Sequence, residues 1–214
     1  MWSRRSIEAL IGVSLLAALA ACAVTPKRTS PAKPVPAAHA AAGPAAQGPP
    51  PVPPAASEAF ARALALARAG NDQSAEAQLA TLAVQYPQYC TPLVDLGILY
   101  REGAKLDAAT HALEQAVARQ PHSALAWTEL GVTQRLGGKF QDAEHSYEQA
   151  IAADPAYAPA YRDRGVLRDL YLGEPTAALS DFQQYRKLTG EDKPVALWIA
   201  ELQHRTGATT QARN

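Results

Sequence analysis

Two histidines, His111 and His145, stand thirty-four residues apart, and each has a glutamate three places on, Glu114 and Glu148. Imidazole beside carboxylate is the raw material of a zinc site or of general acid–base catalysis. Three further histidines, His39, His122 and His204, and two thiols, Cys22 and Cys90, complete the metal-binding and nucleophilic side chains of interest. A fourth feature is the run YRDRGVLRDLYLG at 161–173, where Arg162, Arg164 and Arg168 alternate with Asp163 and Asp169. It reads as a charged binding site, as a worn copy of something more regular, or as the solvated face of a helix.

None of these converges on a reaction. Zinc ligands must all lie about 2.0–2.3 Å from one metal. Equivalent positions of neighbouring repeats lie about 8–10 Å apart, the usual helix-packing distance. His111 and His145 are therefore read as exposed helix-face pairs with Glu114 and Glu148. The chain has no Gly-rich phosphate loop, no G-x-S-x-G elbow and no H-E-x-x-H. Ser146 and Ser180 stand alone on helix surfaces, and the acids form no paired set. The expectation is no enzyme, no cofactor and no metal.

Composition narrows the alternatives. The 214 residues carry 20 basic and 20 acidic side chains, so the formal charge is zero. That leaves no footprint for nucleic acid and no polybasic patch for a membrane. Alanine is abundant and aromatics make up only 7%. Such a chain favours helices packed through small residues.

The first residues read as a targeting segment. Arg4 and Arg5 precede an apolar run at 9–21, ALIGVSLLAALAA, although Glu8 is atypical there. Thirteen residues are too few to span a bilayer as a helix but suit a signal-peptide core. The run ends in Leu19-Ala20-Ala21-Cys22, which resembles the bacterial lipoprotein lipobox at all four positions. The resemblance implies a signal peptide at 1–21, lipidation of Cys22 with palmitate-type chains, and acylation of the new amine. Each buried methylene adds about 0.8 kcal/mol, so several chains hold far better than one. Ala23 stands where inner-membrane retention would call for aspartate, so the expected site is the outer membrane, facing the periplasm. The alternative is an ordinary secretory signal with a coincidental cysteine. With Cys22 lipidated, Cys90 is the one thiol left, either packed at a helix start or engaged in an intermolecular disulfide. Residues 22–55 are rich in proline and alanine and read as a disordered linker that tethers whatever follows.

From residue 56 the chain repeats with a period of thirty-four. Units are read at 56–89, 90–123, 124–157 and 158–191, the last with one inserted residue, followed by a capping helix and tail at 192–214. Position 8 is small: Ala63, Gly97, Gly131 and Gly165. Position 20 is alanine at Ala75, Ala109 and Ala143, and position 24 is bulky at Leu79, Leu113 and Tyr147. Position 27 holds Leu82, Ala116 and Ala150, and proline closes three units at Pro87, Pro121 and Pro155. Each unit reads as two short helices joined by a turn at Gly70, Gly103, Gly137-Gly138 or Gly173. Small residues let the two helices approach, bulky ones at positions 4 and 24 fill the space between units, and proline stops the second helix. In the fourth unit Ala178, Phe182 and Tyr185 follow one place late, and Gly190 stands near the missing proline.

This pattern resembles the tetratricopeptide repeat. The third unit carries Trp127, Leu130, Gly131, Ala143, Tyr147, Ala150 and Pro155 at the signature positions, with Gln134 where tyrosine is usual. The second carries Leu93, Leu96, Gly97, Tyr100, Ala109, Leu113, Ala116 and Pro121. The fourth keeps Tyr161 and Gly165, whereas the first departs at Ala59 and Arg62. The resemblance implies an all-α fold, a right-handed superhelix of four helix-turn-helix repeats. Residues 193–206 are read as a final amphipathic helix, its apolar side carrying Val195, Leu197, Trp198, Ile199 and Leu202, that covers the open end of the core.

The resemblance also implies a concave groove lined by the first helix of each unit, with positions 2, 5, 9 and 12 turned into it. Position 9 is Leu64, Ile98, Val132 and Val166, an aliphatic stripe through every unit. Position 12 supplies Ala67, Arg101, Arg135 and Asp169, and position 5 supplies Phe60, Val94, Thr128 and Arg162. The stripe either receives a peptide or packs between first helices. Arg164 and Arg168 fall where the family packs leucine and tyrosine. Their stems are expected to pack while their heads reach water or an acid near the last helix, such as Glu201. The family's carboxylate clamp uses lysine and asparagine, absent from these positions. The function implied is a protein–protein interaction scaffold of the cell envelope, similar to outer-membrane repeat lipoproteins of Gram-negative bacteria such as those of type IV pilus assembly. The alternative is an adaptor presenting substrates to a periplasmic protease or cell-wall hydrolase.

Overall fold

Several helices in this chain start at prolines and several stop at glycines. Pro54, Pro92, Pro159 and Pro175 occupy first turns, where a missing amide hydrogen costs nothing. Gly103, Gly137, Gly173, Gly190 and Gly207 occupy C-caps. The computed structural model describes residues 52–191 and 193–207. The expected signal segment, Cys22, His39 and nearly all of the linker lie outside the described residues, as do residues 208–214.

Nine α-helices are present among the described residues: α1 (Pro54–Arg68), α2 (Asp72–Gln85), α3 (Thr91–Glu102), α4 (Leu106–Arg119), α5 (Ala124–Leu136), α6 (Phe140–Ala153), α7 (Ala158–Leu167), α8 (Pro175–Thr189) and α9 (Val195–Thr206). They pair as four consecutive hairpins, α1/α2 to α7/α8, each packed on the next, with α9 laid against α8. The architecture is a helical solenoid of four repeats with a C-terminal cap.

The residues at positions 8 and 24 explain the hairpin. A Cβ added to Gly97 would lie 2.5 Å from Leu113 Cγ; at Gly131 it would lie 2.6 Å from the Tyr147 ring, and at Gly165 2.9 Å from the Phe182 ring. The bulky side chain of each second helix therefore rests on the bare backbone of its own first helix. Position 24 was expected to fill the space between units; the first task of these side chains is inside the unit. Tyr147 does both, since it also shares a cluster with Leu167 of the next repeat. Position 4 joins one unit to the preceding one. Trp127 donates its indole N–H to the Pro121 carbonyl at 2.8 Å, and Tyr161 its hydroxyl to the Pro155 carbonyl at 3.1 Å. The closing proline thus ends a helix and also presents an acceptor to the next aromatic.

The inserted residue of the fourth unit is wound into the helix. Arg168–Leu172 forms a π-helical turn on the end of α7, closed by Gly173 at φ 71° and by the Glu174 amide donating to the Arg168 carbonyl at 2.8 Å. A π turn takes up one extra residue while keeping the backbone bonded. Where proline is missing, Gly190 at φ 69° ends α8 instead. In α9, Val195, Ile199 and Leu202 are buried and Trp198 meets Phe182 at 5.2 Å. Leu197 is instead 60% exposed: two residues from Val195 is more than half a helical turn, which carries it off the packed side.

Candidate partner-binding groove

Four first helices, α1, α3, α5 and α7, carry the candidate positions. Leu64, Ile98, Val132 and Val166 are all partly buried. Ile98 packs on the cluster of Leu93, Val94 and Leu130; Val132 packs on Tyr147 and Leu167; Val166 packs on Phe182 and Ile199. Each of these three gives one side to the core and keeps part of its surface outside. Position 5 is less open than expected. Val94 and Thr128 are 1% and 2% exposed, and Thr128 Oγ1 donates to the Ala124 carbonyl. Phe60 and Ala67 are partly buried against the core of the first two units.

The charged positions link consecutive first helices. Arg101 Nη1 reaches Glu129 Oε2 at 2.6 Å and Thr133 Oγ1 at 3.4 Å, with its side chain only 14% exposed. Asp169 accepts from Arg205 of α9 at 2.6 Å. In both cases position 12 of one unit binds the element that follows it. Its partner in the Arg101 pair, Glu129, stands at position 6. The residues at that position in the second, third and fourth units are Asp95, Glu129 and Asp163, all acidic. Sequence reasoning missed this column, although the same thirty-four-residue register that exposed the aliphatic stripe also spells it out.

Two members break the ladder. Asp95 faces the unit whose position 12 is Ala67 and has no ion-pair partner among the described residues. Burial, with a smaller push from Glu129, raises its carboxyl to about 7. At the other break Asp163 is taken by its own neighbour: Arg162 Nε donates to Asp163 Oδ1 at 3.0 Å. That pairing strongly favours the charged guanidinium of Arg162, against the opposing effect of burial. Arg135, the position-12 residue that should have met Asp163, is 9% exposed. It neighbours the Tyr147 hydroxyl and lies 5.8 Å from the Tyr171 ring, but neither Arg135 Nε nor Tyr147 Oη has a hydrogen-bond partner of sound geometry. Burial above all, and the nearby Asp163 charge, keep the Tyr147 hydroxyl protonated far above the ordinary tyrosine range.

The other two arginines of the run are structural. Arg164 makes a two-pronged contact with Asp181, 3.0 and 2.7 Å, and Arg168 reaches the same carboxylate at 3.0 Å and Glu144 of the preceding unit at 2.8 Å. The expected partner Glu201 is exposed on α9 and takes neither. Asp181 arises from α8 of the same repeat, directly behind α7, so a second helix supplies the acid where the cap was expected to.

The remaining candidates are dispersed. His111 and His145 are exposed on α4 and α6, and the side chain that His111 meets is Gln115 at 2.9 Å, one full turn on, in place of Glu114. Among the described residues no group of three His, Cys, Asp or Glu could hold a metal ion. Cys90 is buried beside the start of α3, its thiol donating to Gln120 Oε1 at 2.6 Å, and burial pushes its pKa up, so the thiol keeps its proton. No described helix is long and apolar enough to cross a membrane.

Comparison with known proteins agrees with this geometry. A family model described as tetratricopeptide repeat matches residues 94–158 and 135–169. A crystal structure of MamA is similar at TM-score 0.61 and 21% identity, covering 68% of this chain and 84% of that one. The pilF protein of Pseudomonas aeruginosa is similar at TM-score 0.64 and 18% identity, covering 74% of this chain and 72% of its own. The first such domain of Spaghetti (RPAP3), bound to the HSP90 peptide SRMEEVD, is similar at TM-score 0.53 and 21% identity, covering 56% and 94%. No curated protein matches the sequence. At these identities the likeness is one of fold: a tetratricopeptide-repeat solenoid.

Proposed function

From the tetratricopeptide-repeat fold as premise, we propose that this chain is a non-enzymatic scaffold that holds a protein partner in its concave groove, anchored to the outer membrane through lipid on Cys22. The observation that carries the reading is the aliphatic stripe. Leu64, Ile98, Val132 and Val166 recur once per unit and keep part of their surface outside the core. A partner's apolar side chains at a matching spacing would bury there, each fully buried aliphatic side chain contributing about 1.5–3 kcal/mol. The fold neighbour that holds a peptide supports recognition of this kind. The lipobox-like Leu19-Ala20-Ala21-Cys22 and the pilus protein pilF among the fold neighbours support an envelope assembly role, facing the periplasm.

Two experiments separate the parts of this proposal. Photo-crosslinkers placed at Ile98 and Val132 in cells are expected to trap one envelope protein, and Ile98→Asp with Val132→Asp to abolish the adduct while circular dichroism keeps the helical signal. Persistence of the adduct in that folded variant rules out the stripe as the docking surface. Cys22→Ala is expected to release the protein from the membrane fraction and to remove its palmitate label; retention of both excludes the anchor.

A further inference from the structure

Of the three pairings that the register offers between position 12 of one unit and position 6 of the next, one is made and two are open among the described residues. Position 12 of one unit meets position 6 of the next, as Arg101 meets Glu129 at 2.6 Å. At the start of the ladder Ala67 gives Asp95 nothing to meet. Further on, Arg162 has taken Asp163 and leaves Arg135 over. Arg135 is about nine-tenths buried; against that burial, Tyr147 and the charge of Asp163 still favour its guanidinium, but it has no ion pair among the described residues, and its Nε and the Tyr147 Oη have no hydrogen-bond partner of sound geometry. A buried donor left without an acceptor is costly, and buried guanidinium groups in proteins are ordinarily met by a carboxylate. The unmatched acid and the unmatched base stand on α3 and α5, on either side of the satisfied Arg101–Glu129 pair. Between them lie the outward surfaces of Ile98 and Val132.

Resting on the groove-binding reading, we propose that the partner is an extended internal segment carrying a basic side chain for Asp95 and an acidic side chain for Arg135, with aliphatic residues between them on Ile98 and Val132. The spacing follows from the repeat. Six residues of helix rise, about 9 Å, and one helix spacing, about 10 Å, place the two vacancies roughly 13 Å apart. Extended chain covers that in about four residues. The groove is flanked by a further unit on each side, α1/α2 before and α7/α8 after, so a chain lying across α3 and α5 can run on past both charges. That favours an internal acidic side chain over a chain end. The guanidinium can then complete with the partner the contact that Asp163 withholds, and the ladder closes only in the complex.

The probe is a blocked peptide, acetyl-Ala-Lys-Ala-Leu-Ala-Glu-Ala-amide, whose lysine, leucine and glutamate share one face of the extended chain, with versions in which glutamine replaces the lysine, the glutamate or both. Binding to the full chain is followed by two-dimensional NMR titration. Both single glutamine peptides are expected to bind about five- to tenfold more weakly than the parent. Asp95→Asn should cost the parent peptide the same factor but leave the lysine-free peptide unaffected; Arg135→Gln should do likewise for the glutamate-free one. Where Arg135→Gln lowers the helical content, Arg135→Lys serves instead, since it keeps a cation and loses the fork. Independence of the two substitutions from the peptide's charges, or absence of binding by every peptide of the series, overturns the proposal. The crosslinking at Ile98 and Val132 then still decides the groove reading by itself. A version ending in a free carboxylate in place of the glutamate, if it binds more tightly than the parent, overturns the internal-segment assignment.

Discussion

The first and fourth repeats both place arginine at position 7, where the second and third carry Leu96 and Leu130, and the two side chains have opposite fates. Arg62 is 64% exposed and stands 3.9 Å from Glu58, itself 73% exposed. Arg164 is 15% exposed and grips Asp181, which is 4% exposed. The same departure from the repeat pattern therefore means two things. Before the first unit no described helix packs on the outer side of α1, so Arg62 replaces a leucine that would have nothing to bury against. The fourth unit lies between α5/α6 and α9, and its position 7 is inside. There an arginine is tolerable only because α8 supplies Asp181 and a second arginine, Arg168, shares it. The difference shows that an end of a solenoid is defined by what packs on it; among the described residues the first repeat carries no further helix on its outer side, and the fourth carries α9.

The most severe test of that contrast removes the shared acid. Asp181→Ala leaves two arginines without their common partner and is expected to cost about 3–5 kcal/mol of unfolding free energy, whereas Arg62→Ala stays within about 0.5 kcal/mol. Urea denaturation of the two variants reads the difference; a loss at Asp181 as small as that at Arg62 would erase the distinction between the ends. Position 8 sharpens it next. Gly165→Ala pushes a methyl to 2.9 Å from the Phe182 ring and should cost about 1–3 kcal/mol. The first unit already holds Ala63 there, fully buried and in one cluster with Leu79; Ala63→Gly should lose about 1–2 kcal/mol, through helix propensity and the lost buried methyl.

A pH titration of stability compares the two ends of the charge ladder. Asp169 has its partner in Arg205, while Asp95 has none because Ala67 precedes it. The folded carboxyl of Asp95 is raised to about 7 from its ordinary 3.8, so the folded state holds the proton more tightly than the unfolded chain. Its favourable contribution is complete below about pH 4 and is lost as the pH rises through about 7. Asp95→Asn should therefore raise stability at pH 8 by on the order of 1–2 kcal/mol and leave it nearly unchanged at pH 4. Equal effects at both pH values would show that the carboxyl is ordinary. The smallest effect concerns the turns. Gly70, Gly138 and Gly173 take the left-handed region in the first, third and fourth units, and in the second it is Ala104 at φ 59°. Ala104→Gly should stabilise the domain by about 0.5–1 kcal/mol, seen as a higher thermal midpoint.

Much of this architecture was legible before any coordinates. Gly97 and Gly131 with their partners Leu113 and Tyr147 recur in one register, and recurrence is independent of distance in the chain. The surplus residue of the fourth unit could be counted, but a count does not say whether it loops out or winds into a π turn at Arg168–Leu172. Placing Leu197 on the packed side of α9 erred because the apolar stripe was drawn too broad for a helix packed along one side only. For the groove, Leu64, Ile98, Val132 and Val166 were readable as a column. The competing column of Asp95, Glu129 and Asp163 was equally regular and was overlooked, because acids on a helix surface are ordinarily solvated.

The sequence by itself determined the period, the helix ends, the close approach of each hairpin and the aliphatic column, all properties of one unit repeated. Tertiary structure alone decided which charges meet. Arg101 finds Glu129, Arg164 finds Asp181, and Arg162 takes the acid that the register assigned to Arg135. Ion pairing depends on the reach of long side chains between helices and on which competitor is nearer, and a linear pattern carries neither.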